Sequence, residues 1–168
     1  MPSEGWLEAH LSAHAARPEP RVAVLGRTAT ADAEASHFMK YLTGDSQAQF
    51  AYGALDRGEP PTFRHFYTSN LSLKKNFLNH EPGPFDERFP SAAWEDIELG
   101  YRLEQRGMRI VYEPSASAVH HHFYQPEDFM LRQESSGVAA HFLLNKHPEL
   151  ATALFPRRGR LVQLPNYP

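Results

Sequence analysis

Apolar side chains in the first sixteen residues recur at helical spacing. Trp6, Leu7 and Leu11 alternate with alanines, Ser3 is a candidate N-cap, and Pro18 and Pro20 close the segment. Residues 21–26 (RVAVLG) form a short apolar run between a Pro-Glu-Pro stop and a glycine, the pattern of a buried strand. In 33–42, Phe38, Met39, Tyr41 and Leu42 fall on one side of a helix. Residues 53–62, with Pro60 and Pro61, read as a loop, and 63–73 as an extended aromatic segment whose strand ends near Asn70. A short helix is expected over 73–80, then a loop over 81–92 around Pro82, Pro84 and Pro90. The clearest 3.6-residue period lies in 95–106, where Ile97 and Tyr101 share one stripe, Leu99 and Leu103 lie beside it, and Gly107 stands at the C-terminal cap. Two β runs, 108–112 and 117–120, flank Glu113-Pro114. Residues 126–145 are again helical until Pro148, and 156–168 read as a tail. With no internal repeat, the pattern is one α/β unit over 1–155, a mixed sheet flanked by helices.

Composition narrows the chemistry. The chain has 168 residues, and 17 Lys+Arg against 20 Asp+Glu give a net charge of −3, without the basic footprint of a nucleic-acid binder. Cysteine is absent, which removes disulfides, thiolate metal sites and a cysteine nucleophile, so any metal ligand must be His, Asp or Glu. No apolar run approaches the ~20 residues of a membrane span, and the first residues lack a basic start followed by an apolar stretch. The default address is the cytoplasm, including peripheral attachment at its membrane face.

Glu95 and Asp96 open the most periodic helix. Near the positive end of its dipole a carboxylate is expected to stay ionised at neutral pH and can accept a proton from a bound hydroxyl. The same pair also reads as an ordinary acidic helix cap, and spacing does not choose between the two. Of His120, His121 and His122, only the first and third share a face of an extended segment, so the run offers a metal at most two imidazoles or is a partly solvated polar patch. Thr68, Ser69 and Asn70 could hold a polyhydroxylated ligand or simply form a turn, and Phe85 to Phe89 with Asp86 is a lid or a surface turn. Phosphate-loop, dinucleotide and nucleophile-elbow motifs are missing.

Taken in order, Tyr67-Thr-Ser-Asn-Leu-Ser-Leu73, Phe85-Asp-Glu87, Trp94-Glu-Asp-Ile-Glu-Leu-Gly-Tyr-Arg-Leu103, Gly107-Met-Arg-Ile-Val-Tyr-Glu-Pro114 and Val119-His120 closely resemble family 2 glycosyltransferases of the GT-A fold. The resemblance covers roughly residues 2–154 and corresponds to the C-terminal, acceptor-side half of that catalytic domain. It implies a partial GT-A fold and an inverting transfer from a nucleotide-sugar donor to a glycan or other hydroxyl acceptor, aided by Mn²⁺ or Mg²⁺. By matching position, Asp96 is the catalytic base, Glu95 its acidic neighbour and His120 a metal ligand, while Asn70, Trp94 and Asp86 fall on the substrate side. No Asp-x-Asp precedes Trp6, so the resemblance also implies a longer complete protein whose nucleotide-binding half lies upstream. Metal binding by this chain alone is then weak or absent.

Two other readings remain at this stage: a noncatalytic remnant that binds glycan or a protein partner, and a small histidine-based metal hydrolase. A half-domain would also leave a sheet edge unpaired, which leads us to expect self-association.

Overall fold

In this computed structural model residues 1–31, 36–43, 50–79 and 84–155 are described. Val22 to Leu25 are apolar in succession and all buried, and they form the start of β1 (Val22–Thr30), the central strand of a three-stranded sheet. β2 (Leu71–Leu73) runs antiparallel to it on one side and β3 (Arg109–His120) parallel on the other. The two-residue period of β1 divides its side chains between two layers. Val22 and Val24 pack with Ala13 of α1 (Trp6–Ala16). Ala23 and Leu25 meet Leu99 and Leu103 of α5 (Glu95–Gln105), together with Phe66 and Phe77. Ile97, on the other stripe of α5, joins Phe63 and reaches Leu143 of α6 (Pro126–Lys146) and Leu150 of α7 (Leu150–Leu154). The mixed sheet flanked by helices is the architecture expected of a partial GT-A-like fold.

Several elements depart from the sequence reading. The two expected β runs are one strand, because Glu113-Pro114 sits in a bulge rather than a turn. Gly26 pairs with Glu113 and the next residue, Arg27, with Ser117. A bulge tolerates the proline's missing N–H, and β1 extends past Gly26 because β3 continues beside it. Residues 63–70 are not a strand but two 3₁₀ turns, Phe63–His65 and Thr68–Asn70, and β2 begins where the strand was expected to end. Burial of Phe63, Phe66 and Asn70, rather than alternation, sets this segment. A one-turn helix α3 (Gly53–Asp56) occupies the expected loop, and α4 (Lys75–Leu78) is shorter than read. α1 begins after Gly5, at φ 74°, where the left-handed backbone suits glycine, and Ser3 contributes its carbonyl, not its side chain, to Trp6 N–H. α2 (His37–Thr43) keeps the expected Met39 and Leu42 inside; the start of the helix read at residue 33, and the tail 156–168, lie outside the described residues.

The bulge is held by one buried amide. Asn70 Nδ2 donates to the carbonyls of Arg27 (2.9 Å) and Ala116 (2.8 Å), one on each side of the irregularity. Its Oδ1 accepts from Trp6 Nε1 (2.7 Å) and His10 Nε2 (3.1 Å), tying α1 to the same point. Gly26 lies so close that a Cβ there would meet Ala116 O at 2.2 Å and Asn70 Nδ2 at 2.5 Å. These contacts fix the protons of their neighbours. His10 must carry its hydrogen on Nε2, so its Nδ1 accepts from Ser72 Oγ (2.8 Å), and Ser72 Oγ in turn accepts from His14 Nε2 (3.0 Å). His14 Nδ1 is left buried without a hydrogen-bond partner, and burial, then Lys74 and His10, hold its pKa below the ordinary 6.5.

Met1 to Ser3 run beside residues 117–119 of β3, with Ser3 donating to Ser117 O and Val119 to Met1 O, and so cover part of the outer edge of the sheet. No helix among the described residues is long and apolar enough to cross a membrane.

Asn70→Ala strands an indole N–H and two carbonyls in the interior, and we expect a loss of about 2–4 kcal/mol in urea unfolding; a loss below about 1 kcal/mol would remove the amide from this role. A histidine kept neutral by the fold favours the folded state above its unfolded pKa. Stability should therefore fall as pH drops below about 6.5, and His14→Gln should flatten that acid limb in pH-dependent thermal melts.

Candidate active site

The acidic pair enters α5 through a strained turn. Trp94, the residue before the helix, has φ 69° and ψ −9°, the one non-glycine with positive φ among the described residues. Such a backbone costs an ordinary residue roughly 1–2 kcal/mol. The indole offsets this cost, since Nε1 donates to Ser136 Oγ (2.9 Å) and Ser136 O (3.1 Å) on α6, and the ring packs on Phe155.

Asp96 follows, largely buried. Its Oδ1 accepts the Ile97 N–H (2.8 Å), and the Thr68 backbone also favours its ionised form. The helix start was expected to hold this group firmly ionised, but burial and then the neighbouring Glu95 carboxylate outweigh the backbone N–H groups and push the pKa up to about 6. The group remains mostly ionised at neutral pH and is a far stronger base than a solvated aspartate. Glu95 Oε2 is buried and accepts no hydrogen bond.

Trp94, Glu95, Asp96 and His120 line one cleft of about 520 Å³, along with Thr68 and Ser69 from the 3₁₀ turn. His122 lines it as well and His121 does not, as the two-residue period requires; the rings of His120 and His122 lie 5.7 Å apart. Burial first, then His122 and the chain's amino terminus, hold His120 below its ordinary pKa. Among the described residues no three of His, Asp or Glu stand close enough to ligate one ion, so this set does not by itself make a metal shell.

Two of the six residues singled out from the sequence lie outside that cleft. Asn70 is buried beneath it with its amide spent on the strands and α1. Asp86 is paired with Lys146 (2.7 Å) and Arg88 (2.8 Å), which hold its carboxyl far below the usual range. The same Lys146 reaches Glu98 (2.7 Å), a fully buried carboxylate that also meets Arg102 (3.0 Å) and His147 (3.1 Å). Burial pushes Glu98 up, but Lys146, Arg102 and His147 together hold it below its ordinary value. This ion cluster ties α5 to the end of α6 and, through Arg102 and the Pro84 carbonyl, to the loop before α5. The sequence reading missed Glu98. The spacing of Glu98 and Arg102 hinted at an ion pair, but nothing local signals burial against residues 48 and 49 positions away.

No protein-family model matches the chain. It is 30% identical over 170 aligned positions to the pre-mycofactocin glycosyltransferase of Mycobacterium tuberculosis, an alignment spanning 96% of this chain and 33% of that protein. It is also 30% identical over 94 positions to chondroitin synthase of Pasteurella multocida, spanning 56% of this chain and 10% of that protein. The chain is related to glycosyltransferases. It spans about a third of the length of the mycobacterial relative, and the likeness to that relative covers both the carboxylate pair and the histidine strand.

The raised proton affinity of Asp96 comes at a cost in stability. A carboxyl raised from 3.8 to about 6 makes ionisation costlier in the folded state by about 3 kcal/mol. The folded state is therefore favoured while the group is protonated, and that advantage disappears as pH rises through about 6. Asp96→Asn avoids the cost, and we expect it to raise stability by about 1–3 kcal/mol at pH 7 and to leave it unchanged near pH 4, as read by thermal melts at both pH values.

Proposed function

We propose that this chain is the acceptor-side, C-terminal portion of an inverting family 2 glycosyltransferase of the GT-A fold. The observation that carries the proposal is the buried carboxylate Asp96, poised near pH 6 on a cleft shared with Glu95, Trp94 and His120. The glycosyltransferase relatives support the reaction class.

In this reading the acceptor hydroxyl lies against Asp96. As its oxygen attacks the anomeric carbon of a nucleotide sugar, the proton passes to the Asp96 carboxylate, the bond to the diphosphate breaks, and the nucleotide diphosphate leaves from the opposite face. The configuration inverts, and no covalent enzyme intermediate forms. Glu95 raises the proton affinity of Asp96 by its charge, and its unpartnered oxygen can accept from a second acceptor hydroxyl. Trp94 offers an aromatic wall for a sugar face. Asn70 acts through the turn it pins, which places Thr68 on the cleft with Asp96. Asp86 acts through the ion cluster that steadies α5. Mn²⁺ or Mg²⁺ would neutralise charge on the leaving diphosphate, and His120 is the residue in this cleft that would offer it a ligand.

The test is transfer by the full-length protein from a panel of nucleotide sugars, read as nucleotide diphosphate release and as the anomeric configuration of the product. We expect inversion, a rate that climbs with pH through about 6, and a loss of about 10²-fold or more in kcat for Asp96→Asn. Undiminished turnover by the folded Asp96→Asn variant would exclude Asp96 as the base.

A further inference from the structure

The same cleft carries two cations that the transfer reaction as described leaves unused. Arg64, in the first 3₁₀ turn, and Arg132, on α6, both line it. Neither forms an ion pair with Glu95 or Asp96 among the described residues. The carboxylates are otherwise occupied or open: Asp96 takes backbone N–H groups, and Glu95 Oε2 takes nothing. A cleft that holds both signs and keeps them apart is complementary to a ligand that brings a hydroxyl to one and an anion to the other.

The two cations have different neighbours. Arg132 lies over the Tyr124 ring at 5.8 Å and acts electrostatically on His120. Arg64 stands in the segment that also supplies Tyr67, Thr68 and Ser69 to the cleft wall, and the Thr68 backbone favours the ionised form of Asp96. Arg64 therefore belongs to the wall that places the base, and whatever the base deprotonates lies beside that wall. Arg64 itself is exposed, so its charge is available to a ligand at little cost in desolvation.

We propose that Arg64 selects an acceptor bearing an acidic group, carboxylate or phosphate, next to the hydroxyl that Asp96 deprotonates. This rests on the reading that the cleft takes the acceptor. It adds a specificity that the reaction class does not require.

Binding to the full chain separates the two ideas. The protein has two tryptophans, and their indole N–H signals report different places: Trp94 the cleft, and Trp6, bonded to Asn70, the integrity of the fold. Titration followed by these NMR signals would compare methyl β-glucuronide with methyl β-glucoside. We expect the glucuronide to bind about threefold to fivefold more tightly than the glucoside at low salt, as one exposed charge-assisted contact gives, and the preference to shrink at high salt. Arg64→Gln should erase the preference while leaving the Trp6 signal unchanged, and Arg64→Lys should restore part of it. Equal binding of the two glycosides, or a preference that survives Arg64→Gln, overturns the proposal and leaves the acceptor reading standing. If neither glycoside moves the Trp94 signal, the proposal and the acceptor reading fall together.

Discussion

The architecture turns on the side-chain amide of Asn70. Its two donors bridge the carbonyls of Arg27 and Ala116 on either side of the strand irregularity, and its acceptor oxygen takes the indole of Trp6 and the imidazole of His10. Four hydrogen bonds from one buried group join β1, β3 and α1 at a place where the ladder itself is interrupted. The turn that ends in Asn70 also contains Thr68, which lines the cleft with Asp96 and whose backbone favours the ionised form of that carboxyl. A constraint deep in the sheet thus sets the position of a carboxylate in the cleft above it.

The other side of the site is held from α6. Ser136 clasps the Trp94 indole and keeps a left-handed residue at the entrance to α5, and Lys146 joins Asp86 to Glu98. Both contacts fix the start of α5 without touching the Asp96 carboxylate. The result is a carboxylate whose desolvation is imposed by its surroundings. Asp96 bears the cost of its partial burial beside Glu95 as a raised proton affinity.

The division of labour in the cleft follows from this. Carboxylates, imidazoles and guanidiniums share about 520 Å³ without neutralising one another. That arrangement suits a polar substrate with several recognition points better than an apolar ligand, in keeping with the relatedness to glycosyltransferases. The chain corresponds to about a third of the mycobacterial relative's length, and among its described residues no three of His, Asp or Glu stand together as a ligand set.

Much of this was legible in the sequence. The apolar run of β1, the two stripes of α5, the cap at Gly107 and the long α6 are local patterns, and each appears where the periodicity puts it. The placement of Asp96, Glu95, Trp94 and His120 in one cleft was visible only through the order of motifs, since no single segment carries it. What the sequence could not settle depends on partners far along the chain. Pro114 reads as a strand breaker until Gly26 and Asn70 supply a bulge around it, and Glu98 reads as a solvent-facing helix residue until Lys146 and His147 arrive to bury it. Asp96 reads as a capped, fully ionised carboxylate until burial beside Glu95 shifts its proton affinity. Periodicity encodes which face of an element is apolar; the ionisation and pairing of a polar side chain depend on what is packed against it, and only the tertiary structure decides that.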